Sequence, residues 1–323
     1  MEEKNRKPKI RSTLKWIAWA LLVQFILVNV SASLYGYKFT HFYDLSSVSS
    51  DPPSNNFFAK TWRLFRGPHF FKSTVTDVPE VTYDSVVLYT KSKTRIEGWY
   101  LPADTARGTV IIVHGLGGNK GMMLGYAYQF RNMNYNVMMI DLRGHGNSGG
   151  HTTTLGVRES EDLKLAYDYV MGKGEKNIIL YGFSLGAVVV MKSIYDYGLT
   201  PSHVVLDAPF ASLQDHLRGR ARILGFPSEP FATLVTFWAG LERGFNGFGH
   251  NAGKYAQKIF CPVLLQHCTD DKLVLESEIK LIYAHIASSQ KKTVEYENAG
   301  HEYFLKNDPL KWENEMGNFL KVP

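Results

Sequence analysis

The residues whose types and spacing best fit a chemical task form the pentapeptide Gly182-Phe-Ser184-Leu-Gly186, a G-x-S-x-G pattern. An apolar run at 178–181 precedes it and a helix-forming run begins at Leu185, so the serine is expected on a tight turn between a strand and a helix. The two glycines leave room for the backbone to pass, and the turn pushes the serine hydroxyl above the sheet edge. The start of the helix supplies N–H donors at the same place. The pattern therefore predicts that Ser184 is a nucleophile.

Four further segments accompany this turn along the chain. They are His114-Gly-Leu116-Gly-Gly118, Asp141-Leu-Arg-Gly-His-Gly-Asn-Ser148, Cys268-Thr-Asp-Asp271-Lys-Leu-Val274 and Asn298-Ala-Gly-His301. In order and spacing the five motifs resemble the α/β-hydrolase superfamily, and the resemblance extends over roughly residues 80–321. The four segments are similar to its oxyanion loop, its D-x-R-G-x-G-x-S segment, its acid loop and its histidine loop. The chain departs from the family in having Cys268 where glycine is usual.

The resemblance implies a Ser-His-Asp triad. Ser184 Oγ attacks a carbonyl carbon, His301 accepts the proton and passes it to the leaving group, and Asp271 orients the imidazole. The backbone N–H groups of Leu116 and Leu185 form the oxyanion hole. No metal or organic cofactor is required for this chemistry.

Some residues compete for these roles. Asp270 is the rival acid, and counting back from Val274 in the D-x-x-V motif favours Asp271. Among the histidines, His114 is expected to support the oxyanion loop and His145 to belong to a structural turn. A third, at position 267, falls within a strand and is most simply a core residue.

The motifs favour a serine hydrolase that cleaves carboxylic esters through an acyl-enzyme. The pattern is also similar to monoacylglycerol-lipase-like hydrolases, which implies an acyl ester or lipid-like substrate. Two alternatives stay open, a membrane-anchored serine peptidase and a non-catalytic binding protein on the same fold. The glycine-rich segment at 115–121 has Lys120 where G-x-G-x-x-G needs glycine, which disfavours a nucleotide site. His301-Glu302 lacks the second histidine of H-E-x-x-H, which disfavours a metallohydrolase.

Alternating strand and helix patterns run from about residue 74 to the end of the chain, and continuous apolar runs such as 110–113 are typical of strands buried on both faces. This predicts an α/β domain at 74–323 with a mostly parallel central sheet and helices on both faces. A long aromatic-rich stretch at about 213–255 interrupts the alternation, and we expect an inserted helical cap there.

The first 73 residues predict a membrane attachment. A basic tail at 1–15 carries six Lys/Arg against two Glu, which accounts for most of the net charge of +6 and gives no reason to expect a nucleic-acid partner. The uncharged run at 16–37 is long enough for a transmembrane anchor, with the N-terminus cytoplasmic and the catalytic domain extracytoplasmic. A signal peptide cleaved after Ala32, giving a secreted protein, is the alternative. Residues 38–73 are expected to form a linker and an aromatic, basic juxtamembrane segment that lies on the membrane or packs on the domain.

Overall fold

The computed structural model describes residues 7–45, 58, 62, 65–225 and 227–321, without the side chains of 7–11. Part of the expected basic tail and the Ser/Pro-rich part of the expected linker, at 46–56, lie outside this range.

A central sheet of eight strands organises the described part of the chain. The strands are β3 (Asp84–Tyr89), β4 (Arg95–Leu101), β5 (Thr109–Val113), β6 (Asn136–Ile140), β7 (Ile178–Phe183), β8 (His203–Asp207), β9 (Val263–Cys268) and β10 (Lys291–Tyr296). Their order in the sheet is β10-β9-β8-β7-β5-β6-β4-β3, and β4 alone runs opposite to the other seven strands. The expectation of a mostly parallel sheet is confirmed. A separate two-stranded pairing joins β1 (Phe42–Tyr43) to β2 (Phe70–Phe71).

Both faces of the sheet are covered. Along β5, Ile111 and Val113 enter one hydrophobic cluster and Val110 and Ile112 enter the other, because successive strand side chains point to opposite faces. The helices Glu159–Gly172, Leu185–Tyr197, Ala252–Ala256 and Glu276–His285 pack on the first face, and Leu124–Asn132, Phe304–Asn307 and Pro309–Phe319 on the second. A 3₁₀ turn, Lys120–Met123, precedes the helix Leu124–Asn132.

The stretch expected to form a cap contains two long helices, Leu213–Leu224 and Phe231–Arg243, hereafter the first and second cap helices. Ser212 caps the first one, since its side chain accepts a hydrogen bond from the Asp215 N–H at 3.0 Å. The first cap helix packs directly on the acid loop, where the Gly219 backbone is so close to Leu273 that a Cβ would lie 2.0 Å from its carbonyl oxygen.

The N-terminal helix, Lys7–Phe39, has 33 residues and is therefore about 50 Å long. Its section Ser12–Phe39 contains an 18-residue window with a mean hydropathy of 2.0, and the section is long and apolar enough to cross a bilayer. Apolar side chains up to Val30 are exposed, whereas those near Tyr35 and Phe39 are buried. The helix thus has an exposed half and a half that packs into the α/β domain.

The docked half packs against the second cap helix. Ser33 Oγ donates to Glu242 Oε1 at 2.7 Å, and the rings of Tyr35 and Phe231 meet edge to face at 4.9 Å. Of the juxtamembrane segment, Phe58 and Trp62 are exposed, while Phe70 joins β2 and contacts Phe39 at 5.6 Å. Phe70 therefore packs on the domain, while a membrane-surface placement of the rest of the segment stays a prediction.

Gly186→Ala is expected to lower the free energy of unfolding by about 3 kcal/mol or more, because a Cβ at this position would lie 2.1 Å from the carbonyl oxygen of Val113 on β5. The measurement is thermal or denaturant unfolding in detergent. Gly172→Ala is the matched control, since a Cβ there meets nothing within 4 Å and alanine is the better helix former. Equal stability of the two variants would contradict the close packing of this helix on β5.

Candidate active site

The serine turn joins β7 to the helix Leu185–Tyr197. Ser184 has φ 53° and ψ −112°, a strained conformation that the surrounding packing holds in place. Its N–H donates to the Asp207 carbonyl at 2.7 Å. A Cβ on Gly182 would lie 2.4 Å from Gly186, which explains why the pattern needs both glycines. The side chain of Ser184 is thereby set at the carboxyl edge of the sheet.

Hydrogen bonds connect this serine to the predicted base and acid. His301 Nε2 lies 2.8 Å from Ser184 Oγ, and His301 Nδ1 lies 2.7 Å from Asp271 Oδ2. The other carboxylate oxygen of Asp271 accepts from the N–H groups of Leu273 and Val274 at 2.7 and 2.9 Å. Asp271 is therefore fixed by its own loop and presents one oxygen to the imidazole. Because a carboxylate accepts from Nδ1–H, Nε2 is left free to take a proton from the serine.

The two candidate acids have different surroundings. Asp271 is buried and contacts His301, whereas Asp270 is exposed and its backbone N–H donates to Ala299 at 3.2 Å. The geometry thus brings Asp271, and not Asp270, to the imidazole.

The two predicted oxyanion donors belong to the start of the helix after the serine and to a neighbouring loop. Leu185 begins the helix that follows the nucleophile, where N–H groups point out of the helix end. Leu116 belongs to the loop after β5, and this loop packs beside the serine turn, since a Cβ on Gly115 would lie 3.0 Å from the Phe183 ring. The loop and the helix start therefore face the same edge of the sheet as Ser184.

Comparisons with known proteins agree with this architecture. A family model described as serine aminopeptidase, S33 (Hydrolase_4), matches residues 104–239. The esterase Pf2001 of Pyrococcus furiosus superposes with a TM-score of 0.64 at 25% identity, over 77% of this chain and 96% of that chain. The chain is an α/β-hydrolase.

Two curated relatives act on lipids according to their names. The lysophosphatidylserine lipase ABHD12 of Danio rerio is 23% identical over 70% of this chain, which spans 61% of that lipase. The monoacylglycerol lipase of Mycolicibacterium smegmatis is 23% identical over 65% of this chain and 86% of its own length.

In the hydrolase, His114 supports the oxyanion loop. Its Nε2 accepts from the Leu142 N–H at 3.1 Å, so Nδ1 carries the proton and donates to the Gly115 carbonyl at 2.7 Å. Complete burial lowers the pKa of His114 to about 4, which keeps the ring neutral with this assignment of donor and acceptor. His114 thus ties the oxyanion loop to the segment that begins at Asp141.

Asp141 provides a second link between its own segment and the residues that follow β5. It is fully buried, and its carboxylate accepts from the Lys120 N–H at 2.7 Å and the Lys120 ammonium at 2.6 Å. The Asn147 N–H donates to it at 2.8 Å. The D-x-R-G-x-G-x-S segment therefore acts as a support for the oxyanion loop, a role that the motif alone did not specify.

The remaining rival histidines lie away from the serine hydroxyl's hydrogen bonds. His145 is buried, its Nδ1 lies 2.9 Å from the Arg143 carbonyl, and burial lowers its pKa to about 3. His267 lies on β9 with its Nε2 3.8 Å from Glu295. Both described cysteines, Cys261 and Cys268, are free thiols, and burial raises the pKa of Cys268 to about 12.

A group of side chains on the cap side of the site, hereafter the roof, was not predicted from the sequence. The first cap helix contributes His216 and Arg220, and the N-terminal helix contributes Phe39, whose ring lies 5.9 Å from His216 and 4.8 Å from the Arg220 guanidinium. The spacing of His216 and Arg220, four residues apart, is a signal that they share one helix face. No comparable signal in the sequence links Phe39 to them, because the contact joins segments about 180 residues apart.

Proposed function

We propose that the protein is a membrane-tethered serine hydrolase that cleaves carboxylic esters of lipid-like acyl substrates. The observation that carries the proposal is the hydrogen-bond chain from Asp271 through His301 to Ser184, at the start of a helix. The names of two relatives, a lysophosphatidylserine lipase and a monoacylglycerol lipase, support an acyl ester as the substrate.

In the proposed reaction Ser184 Oγ attacks the ester carbonyl carbon while His301 Nε2 takes the hydroxyl proton. The N–H groups of Leu116 and Leu185 stabilise the oxyanion, and removing one such donor typically costs ~2.7–4 kcal/mol. His301 then returns the proton to the departing alcohol oxygen, leaving an acyl-enzyme. Water, deprotonated by the same imidazole, attacks the acyl carbon and releases the carboxylic acid and free Ser184.

A groove between the N-terminal helix and the cap supports a lipid-like substrate. Its volume is about 790 Å³, and apolar side chains from the N-terminal helix (Leu27, Tyr35), the juxtamembrane segment (Trp62) and the cap (Phe231) line it. An acyl chain that leaves a bilayer along the N-terminal helix would meet this groove first. The ring of Tyr35 stacks on that of Phe39 with 6.3 Å between centroids, and Phe39 contacts His216, so aromatic side chains connect the groove to the roof of the site.

The path of the N-terminal helix supports an uncleaved anchor, and the basic tail before it favours a cytoplasmic N-terminus. The helix continues without a break past the candidate cleavage point at Ala32, and residues on the far side of that point pack into the domain. We expect the purified protein to have the intact mass of the full chain and to stay in the membrane fraction after carbonate extraction. A mature N-terminus at Ser33, found by mass spectrometry, would instead identify a signal peptide.

The proposed function is tested with the full chain in detergent micelles. We expect a fluorophosphonate probe to label Ser184 and acyl esters to be hydrolysed far faster than aminoacyl or peptidyl amides. Faster cleavage of the amides would establish the peptidase alternative, to which the name of the matched family model corresponds. A folded protein with no labelling and no turnover would identify a binding protein.

A further inference from the structure

Arg220, in the roof of the site, lacks a carboxylate partner among the described residues. Its Nε donates to His216 Nε2 at 3.1 Å, and its guanidinium lies 4.8 Å above the Phe39 ring and 5.3 Å above the Phe70 ring. Cation–π contacts compensate a desolvated cation only in part. The neighbouring Arg218 is different, since it pairs with Asp215 at 2.8 Å and Glu229 at 2.9 Å.

His216 adds a second donor without an acceptor. It is 1% exposed, and because its Nε2 accepts from Arg220, its proton must be on Nδ1. Burial, with Arg220 and His301 nearby, lowers the pKa of His216 well below its usual value, so the ring is neutral. Nδ1 has no hydrogen-bond partner in the described part of the chain. A buried N–H left in this state costs free energy that an incoming acceptor would recover.

These donors belong to a helix that packs beside the proposed reaction centre. His216 is close enough to His301 for the two rings to interact electrostatically, and its helix packs on the acid loop at Leu273. On the other side Arg220 contacts Phe70, and three residues later Ser73 Oγ donates to the Gly118 carbonyl of the oxyanion loop at 2.6 Å. The helix of the pair thus contacts the acid loop, and Arg220 contacts the segment whose Ser73 holds the oxyanion loop.

We propose that Arg220 and His216 form an anion-binding subsite for a phosphate group carried by the substrate, so that the preferred substrates are acyl esters of a phosphorylated alcohol. This deepens the proposed function and rests on it. The guanidinium presents N–H groups in a planar fork that suits phosphate oxygens, and the His216 Nδ1–H supplies a neutral donor beside it. The phosphate supplies the counter-charge that Arg220 lacks among the described residues, and the acyl chain extends toward the groove beside Tyr35.

The experiment compares two soluble esters with the same acyl chain, 1-octanoylglycerol 3-phosphate and 1-octanoylglycerol, with the full chain in a neutral detergent. We expect a higher kcat/KM for the phosphorylated ester. Arg220→Met should lower the ratio of the two kcat/KM values by about tenfold to one hundredfold, the range for a lost charge-assisted hydrogen bond. Arg218→Met is the matched control on the same helix and should leave the ratio unchanged.

Two other outcomes would contradict the phosphate subsite. If Arg220→Met lowers kcat/KM for both esters equally, Arg220 only holds the roof together and the proposal fails. His216→Phe, which keeps the ring packing and removes the Nδ1–H, gives the same comparison if Arg220→Met does not fold. A preference that appears only when anionic vesicles are added, and for both esters alike, would assign the site to membrane headgroups and overturn the substrate proposal.

A binding measurement tests the anion subsite independently of ester hydrolysis. Calorimetric titration with glycerol 3-phosphate should show binding that Arg220→Met weakens about tenfold or more. Binding of this kind in a protein without ester turnover would support the anion site and reject the hydrolase mechanism. Ester turnover without such binding would do the reverse.

Discussion

Ser184→Ala is expected to lower kcat for ester hydrolysis by about four to six orders of magnitude and to abolish fluorophosphonate labelling. The hydroxyl is the only group on the serine turn that can form the acyl-enzyme, so water would have to attack the substrate directly in the variant. The helix start and the oxyanion loop stay in place, and they account for the residual rate over the uncatalysed reaction.

The variant is expected to fold, because the Ser184 backbone N–H, and not its hydroxyl, bonds to Asp207. Circular dichroism and the melting temperature should therefore match the parent closely. Ser202→Ala is the control, since its hydroxyl bonds only to the Ile178 carbonyl at the opposite end of β7. Turnover that persists in Ser184→Ala with a folded protein would remove the triad proposal.

The sheet could be predicted from the sequence because its strands are short apolar runs set between helical patterns. Thr109–Val113 and His203–Asp207 begin and end where the apolar pattern does. For the last strand the sequence pattern predicts Thr293–Glu297, whereas the strand spans Lys291–Tyr296. It lies at the edge of the sheet, where polar side chains such as those of its first residues can point to solvent. Whether an element is a helix or a strand can thus be predicted from the local sequence pattern, whereas the bounds of an edge strand can be predicted less closely.

The grouping of Ser184, Asp271 and His301 could be anticipated for a topological reason. Each follows a parallel strand, and the carboxyl ends of parallel strands meet at one edge of the sheet. Their chemical roles stay predictions until variants are measured. The roof could not be anticipated, since Phe39 belongs to a helix whose composition predicts only membrane insertion, and its partners lie on a cap helix far along the chain.

The second large effect is expected for the candidate acid, where Asp271 and Asp270 are adjacent. Asp271→Asn should lower kcat/KM for esters by about 10⁴-fold, because an amide facing His301 Nδ1 can stabilise the wrong tautomer and cannot stabilise the imidazolium. The loop itself should survive, since the asparagine carbonyl oxygen can still accept from the Leu273 and Val274 N–H groups.

Asp270→Asn is the matched control, with the same chemical change one residue away. Its side chain is exposed, and its backbone N–H bond to Ala299 does not depend on the carboxylate, so kcat/KM should stay within about twofold of the parent. Steady-state kinetics on one soluble ester, with melting temperatures to verify folding, decide between the two. A larger loss for Asp270→Asn would mean that the acid loop rearranges when substrate binds, because only a shift of the loop by one residue could bring that carboxylate to His301.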